Sequence, residues 1–180
     1  SGIGTLTKNG AGTLTLSGAN GMSGNTTVSA GTLLVSGSLA SSAVAVSSGA
    51  TLMGDGPVGN LTVTGTVDPG NAPAGRTNLA CGTLTLNDGG AMRIDMAAAS
   101  GTAGTDWDLI TASGAIAANA SGTFALNLYG TPTGFNSAAG YSWKIMGGAS
   151  VSSFLAGRFS INTNNFLAGT DGGSFSVSQS

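Results

Sequence analysis

The chain carries few side chains able to do chemistry, and their types narrow what that chemistry can be. Among 180 residues there are seven acidic side chains, five basic ones, one Cys and no His; every acidic residue is Asp. Zinc sites and nucleophilic triads fail for want of His and of a second thiol. The nearest pair of carboxylates is Asp106 and Asp108, in Asp106-Trp107-Asp108-Leu109-Ile110. Residues two apart on a strand share a face, at about 6.5–7 Å between Cα atoms. That lies within the roughly 5–9.5 Å over which paired carboxyls cleave glycosidic bonds. Trp107 and Leu109 then take the opposite face. The same pair also reads as charge on an exposed strand edge, where it discourages unwanted sheet pairing. Without His or Glu little remains to polarise a leaving group, so the expectation is no enzyme and no catalytic residue.

Asp55-Gly56, Asp88-Gly89-Gly90 and Asp171-Gly172-Gly173 invite comparison with calcium-binding Gly/Asp repeats. Such repeats run in tandem, so that successive turns surround one ion. These three lie far apart, and each reads as a turn in which Asp bonds its own backbone and Gly supplies a positive φ. No metal and no cofactor are expected. Arg93 and Asp95 share an outward face, with Lys144 elsewhere, and could pair across coils; such surface pairs are worth at most about 1 kcal/mol. Tyr129, Tyr141 and Trp143 would form a carbohydrate platform if exposed, but Tyr141 and Trp143 lie in an alternating apolar row and read as packing residues. Cys81 begins a strand and reads as a small buried hydrophobe.

The elements that must hold these residues are short and repetitive. Gly12-Thr13-Leu14-Thr15-Leu16-Ser17-Gly18 returns as Gly31-Thr32-Leu33-Leu34-Val35, Gly49-Ala50-Thr51-Leu52-Met53-Gly54 and Gly82-Thr83-Leu84-Thr85-Leu86. It appears again as Gly122-Thr123-Phe124-Ala125-Leu126-Asn127-Leu128 and as Gly173-Ser174-Phe175-Ser176-Val177. Apolar residues two apart with small polar residues between them have the period of a half-buried strand. Copies beginning near Thr13, Thr32 and Thr51 are 19 apart, with subsidiary strands at Thr26-Thr27-Val28, Val44-Ala45-Val46 and Leu61-Thr62-Val63. Coils of about 20 residues with glycine corners define a parallel β-helix, a solenoid in which each coil covers the apolar row of the next. Leu14, Leu16, Val28, Leu33, Val35, Val44, Val46, Leu52, Leu61, Val63, Met92, Ile94 and Met96 should face inward.

Composition agrees. There are 32 Gly and only 7% charged residues, while 41% hydrophobic content in patterned order argues against disorder. A net charge of −2 and few Lys or Arg exclude nucleic acid as a natural partner. No apolar run approaches the roughly 20 residues of a membrane helix, so no membrane insertion is expected within these residues. No signal peptide opens the chain, which starts in repeat-like text and reads as part of something longer. Asp68-Pro69-Gly70 is turn chemistry that interrupts the rhythm. All ten aromatic residues follow residue 106, which implies a wider or closing cross-section. The organisation expected is regular coils over 1–67, a loop over 68–78, larger aromatic-rich coils over 79–140 and a capping region over 141–180. Eight or nine coils would make a stack about 40 Å tall. The first coil shows no recognisable polar cap.

Leu6-Thr7-Lys8, Gly10, Gly12-Thr13-Leu14-Thr15-Leu16-Ser17-Gly18, Asn20, Thr26-Thr27-Val28 and Ala30-Gly31-Thr32-Leu33 resemble the autotransporter-associated β-strand repeat of bacterial passenger proteins. Met22-Ser23-Gly24 departs from its usual aromatic before glycine. Gly65-Thr66-Val67-Asp68-Pro69-Gly70-Asn71-Ala72-Pro73 resembles the Pro-Gly-Asn-Ser-Pro-Gly loop of such passengers, with Ala72 and Ala74 as departures. Asp106-Trp107-Asp108-Leu109 resembles their Tyr-Asp-x-Leu strand. The resemblance implies a right-handed parallel β-helix that is extracellular or displayed on a bacterial cell surface, as a stalk or adhesin-type segment. Partners under this reading are a second copy at open β-helix ends, giving a head-to-tail filament, or a host or matrix surface ligand. A carbohydrate-binding or carbohydrate-cleaving surface is the third reading.

Overall fold

The computed structural model describes residues 2–71, 75–119, 121–170 and 173–180. In chain order the strands are β1 (Leu6–Lys8), β2 (Thr13–Leu16), β3 (Thr26–Val28), β4 (Gly31–Val35), β5 (Val44–Val46) and β6 (Ala50–Gly54). There follow β7 (Leu61–Val63), β8 (Thr66–Pro69), β9 (Asn78–Cys81), β10 (Leu84–Leu86), β11 (Ala91–Asp95) and β12 (Leu109–Ala112). The last five are β13 (Ala115–Ala118), β14 (Phe124–Gly130), β15 (Met146–Gly147), β16 (Ser150–Ser152) and β17 (Phe159–Phe166).

These strands make three sheets. Two have seven strands each, ordered β1-β3-β5-β7-β10-β13-β16 and β2-β4-β6-β8-β11-β14-β17; the third is β9-β12-β15. Every strand pair among them is parallel. Parallel neighbours that never adjoin in sequence require the chain to travel round and return one level higher. The fold is therefore a parallel β-helix, and neither short sheet face could stay dry without the rung beyond it.

The register explains why. One inward row runs Leu14, Leu33, Leu52, Val67, Met92, Leu126 and Ile161, each directly over the last. Its middle members, from Leu33 to Leu126, are essentially inaccessible to solvent. The residues expected to face inward do so, although Leu14 and Leu16, in the first rung, are only partly covered. Cys81 is buried in the same core, and burial pushes its thiol up to about 11. It behaves as a small hydrophobe.

A second row reveals what the sequence hid. Lys8 lies in register with Val28, Val46, Val63 and Leu86, so a charged side chain occupies the inward position of the first rung. Its ammonium donates to the carbonyls of Asn9 (3.2 Å), Gly10 (2.7 Å) and Ala30 (2.9 Å), leaving only 7% of the residue exposed. The stem covers the apolar row and the head satisfies carbonyls at the corner. The inward row of this rung is thus filled by one lysine, whose polar head is satisfied without a separate element. Buried Thr26 is similarly satisfied: its hydroxyl meets that of Ser42 at 2.8 Å, and Ser42 donates to the Gly24 carbonyl at 2.6 Å.

Coil length changes along the stack. In-register partners are Thr13, Thr32 and Thr51, then Thr66, Ala91, Ala125 and Ser160. The early coils fit the expected period of about 20 residues, whereas the late ones take 34 or 35. The expectation of eight or nine coils is accordingly too high: each long sheet has seven strands, about 29 Å from first rung to last at 4.8 Å per step. The added length builds a third side. Among the described residues that side is held in early coils by single bridges, Gly2 to Met22, Ala19 to Ser38 and Leu39 to Val58, and later by β9, β12 and β15.

Two further expectations change in detail. Asp68 and Pro69 belong to β8, so the turn begins at Gly70, whose φ is +100°; Ala72, Pro73 and Ala74 lie outside the described residues. Residues 173–177 are not a strand, although Phe175 and Val177 pack against the core. Around them the upper end of the interior opens into a cleft of about 500 Å³ bordered by Leu126, Leu128, Ile145 and Phe159.

Leu52→Ala, at the centre of the inward row, should lower the free energy of unfolding by about 2–5 kcal/mol. Leu14→Ala, in the half-covered first rung, should cost about 1 kcal/mol. Urea denaturation followed by circular dichroism measures both, and equal losses would contradict the stacked interior.

Candidate functional site

The alternation that faces Met92 and Ile94 inward turns Arg93 and Asp95 outward on β11. Across the rung below, Asp68 follows Val67, the partner of Met92, so it stands beside Arg93; across the rung above, Tyr129 is the partner of Asp95. An outward position would normally be wet. Here the chain leaves β11, doubles back and pairs with itself, Met96 bridging antiparallel to Trp107. The Asp108 amide donates to the Asp95 carbonyl at 3.1 Å and the Ala97 amide to the Asp106 carbonyl at 2.7 Å. Arg76 extends the cover by donating to the Thr105 carbonyl at 3.3 Å.

Beneath this cover three carboxyls converge. Asp68 and Asp95 are each 5% exposed and Asp108 is fully buried, and one oxygen from each lies within 4.8 Å of the others. Arg93 grips Asp95 with two hydrogen bonds, Nε to Oδ2 at 3.0 Å and Nη2 to Oδ1 at 2.9 Å. Its Nε stands 3.8 Å from Asp68 Oδ2, too far for a hydrogen bond. The opposite side of the guanidinium lies over the Tyr129 ring, 3.9 Å from its centre. Asp108 accepts from two backbone amides, Thr77 N at 3.0 Å and Asp95 N at 2.7 Å. It thereby ties the start of β9 and the end of β11 to its own segment. Asp68 Oδ1, shut away from solvent, has no hydrogen-bond partner among the described residues.

Burial sets the protonation chemistry. Loss of water pushes Asp68 up to about 6, opposed by the Arg93 charge and reinforced by that of Asp95. It pushes Asp108 up to about 7 against the pull of its two amide donors, with the charges of Asp95 and Asp68 adding to the rise. Hydrogen bonding to Asp95 holds the Arg93 guanidinium more firmly charged than usual.

The sequence-level candidates fall elsewhere or play other parts. Asp106 and Asp108 do not share an exposed face: Asp108 shares the inward parity of Ile110 and Ala112, while Asp106 turns back to accept from the Thr102 amide at 2.7 Å. Leu109 is half-buried and Ile110 takes the core position. The alternation fails because the strand begins only at Leu109, after the doubled-back segment. Asp88 stands in an exposed turn with Gly89 at φ +75°, as expected, but its carboxylate reaches to the next coil rather than to its own backbone. It accepts from the Ser121 hydroxyl and from the Gly122 amide (2.7 Å), and the Ser121 bond foremost holds it below the usual carboxylate range. Asp55 is exposed in a turn, and Asp171 lies outside the described residues. Tyr141 and Trp143 stack on each other at 5.4 Å, and Trp143 stacks in turn on Phe175 at 6.1 Å. Lys144 is exposed and its carbonyl accepts from Trp107 Nε1 at 3.0 Å.

What the sequence missed is the assembly of Asp68, Arg93, Asp95 and Asp108. Only the Arg93–Asp95 pairing was visible, through its i, i+2 spacing on an outward face. Asp68 hid inside turn chemistry, and Asp108 inside a pair with the wrong neighbour.

These features define a parallel β-helix of the repeat-built kind, with a buried acidic cluster where its narrow and wide halves meet. Residues 6–35 match the passenger-associated-transport-repeat family. That stretch spans β1 to β4, two rungs of each long sheet, and includes Lys8 with its three carbonyl partners. The passenger-type repeat read from the residues is therefore present in the chain, and its family implies a secreted or surface-exposed protein. No curated protein and no solved structure matches the chain significantly. Among the described residues no helix is long and apolar enough to cross a membrane.

A carboxyl whose value is raised on folding favours the folded state at low pH. The contributions of Asp68 and Asp108 are complete below their ordinary value of 3.8 and are lost as pH rises through about 6 and about 7. In EDTA-containing buffer, the urea midpoint should therefore fall between pH 4 and pH 8. Asp68→Asn should flatten the lower part of that fall.

Proposed function

We propose that this β-helix is a non-catalytic structural segment of a secreted or surface-displayed bacterial passenger protein, acting as a stiff spacer. The observation that carries this reading is the continuous ladder: two seven-stranded parallel sheets in register around one dry interior, opened by a passenger-type repeat. Such a body resists bending and leaves little unpaired backbone for a protease to enter, since each rung is held by both neighbours.

The arrangement of side chains supports this reading over a carbohydrate-active one. Trp143 stacks on both Tyr141 and Phe175, so ring surface that would meet a sugar is already engaged. The face of Tyr129 is covered by Arg93. Asp106 and Asp108 are each engaged by backbone amides and do not flank a common open groove.

Head-to-tail stacking of these 180 residues taken alone is disfavoured by the taper. A second copy stacked on β1 and β2 would set a coil of about 35 residues on one of about 20, matching two sheets and losing the third. The ammonium of Lys8 also occupies the inward row at that face.

Negative-stain microscopy and size-exclusion chromatography should show discrete short rods whose length does not grow with concentration. Proteinase K should leave the core of residues 13–130 intact, and a glycan array should give no signal that Asp106→Ala with Asp108→Ala removes. Long fibres, or glycan binding lost in that double variant, would overturn the spacer reading.

A further inference from the structure

We propose that Asp68, Asp95 and Asp108 form a calcium-binding site that locks the doubled-back segment 96–108 onto β8 and β11. The inference does not depend on the spacer reading. Three carboxylates face a single guanidinium, which leaves an excess of two negative charges, the charge of one divalent cation. One oxygen from each lies within 4.8 Å of the others, so a point central to the three stands at most about 2.8 Å from each, close to the roughly 2.3–2.6 Å of a calcium–oxygen bond. Magnesium demands near-octahedral geometry and gives up its waters reluctantly, so three carboxyls converging from separate segments suit it less well.

A second observation, separate from the clustering, points to a ligand. The Asp68 side chain is only 7% exposed, yet among the described residues its carboxyl accepts no hydrogen bond, and its Oδ1 has no partner of any kind. A buried carboxylate so placed costs free energy unless something positive meets it. Arg93, 3.8 Å from Asp68 Oδ2, offsets part of that charge, but both of its hydrogen bonds to carboxylates go to Asp95, which leaves the Asp68 carboxyl without a donor. Asp95 and Asp108 keep lone pairs free beyond those used by Arg93 and by the amides of Thr77 and Asp95. All three ligands are hard oxygen donors, and no Cys or His is near to favour a softer metal. The remaining coordination positions fall to backbone carbonyls or water. A site with so few protein ligands belongs in the affinity range of extracellular modules, about 0.1–1 mM.

The test uses the 180-residue chain, stripped with EDTA and titrated with CaCl2 at pH 8 while thermal unfolding and calorimetric heat are followed. One calcium per chain should bind with Kd in that range, and 5 mM CaCl2 should raise Tm by several degrees. Asp68→Asn, a neutral isostere that relieves the buried charge and so preserves folding, should abolish both effects. Asp88→Asn, at an exposed turn, should keep both. Three results would overturn the site: no binding to the unmutated chain, the same Tm rise in Asp68→Asn, or stability that follows pH and ignores calcium. The last would assign the missing positive charge to protons.

Discussion

The rest of the molecule depends on vertical register. A rung of this protein has neither the length nor the apolar surface to fold alone, so each depends on placing its inward residue over that of the rung below. The row from Leu14 through Leu33, Leu52, Val67, Met92 and Leu126 to Ile161 keeps that alignment although the chain between successive members ranges from 15 residues to 35. A slip of one residue would turn every member of the row to solvent. Glycines protect the alignment at corners where rungs touch: a Cβ at Gly37 would strike the Gly18 carbonyl, and one at Gly65 the carbonyls of Ser47 and Ala50. Variable coil length is tolerated because the extra residues leave and rejoin between strands of the two long sheets, and in the late coils they stack on one another as β9, β12 and β15.

Much of this was legible in the residues. Period-2 alternation and glycine corners identify β1 to β7, β10, β11 and β14, because in a solenoid local pattern and global fold demand the same thing of each residue, whereas β8, β13, β16 and β17 carry no such text. The seven rungs were not legible, since the lengthening of late coils comes from segments without repeat-like text. Nor was Lys8 as an inward residue: its place in that row appears only once Val28 and Val46 are set above it. The site was legible in part. Arg93 and Asp95 showed their pairing, but burial came from a segment folding over them, and no periodicity reports what will cover an outward face. Asp108 was misread because Trp107 and Leu109 suggested an alternation that begins two residues too early. Strand parity is informative only inside a strand.

The acidic cluster sits at the change from the narrow to the wide cross-section. Below it the third side is held by single bridges; from β9 upward it is a sheet. Asp108 joins the two regimes directly, with one oxygen on the amide of Thr77, next to β9, and the other on the amide closing β11. A widening solenoid must add chain at some rung, and added chain brings backbone groups that the ladder no longer satisfies. A carboxylate accepting two amides meets that need at one point, at the expense of burying charge.

Because the bonds between rungs run along the axis of the stack, a pull applied between its two ends loads them lengthwise. The tension passes through one rung interface after another, and the weakest interface sets the strength of the whole. Counted by paired positions in the two long sheets, that interface lies beneath the acidic cluster, where β7 and β8 meet β10 and β11 with five. The wide end, with β14 and β17 paired over their length, holds far more firmly. Under force the column should therefore part at that step, while the three-sided portion above it stays whole.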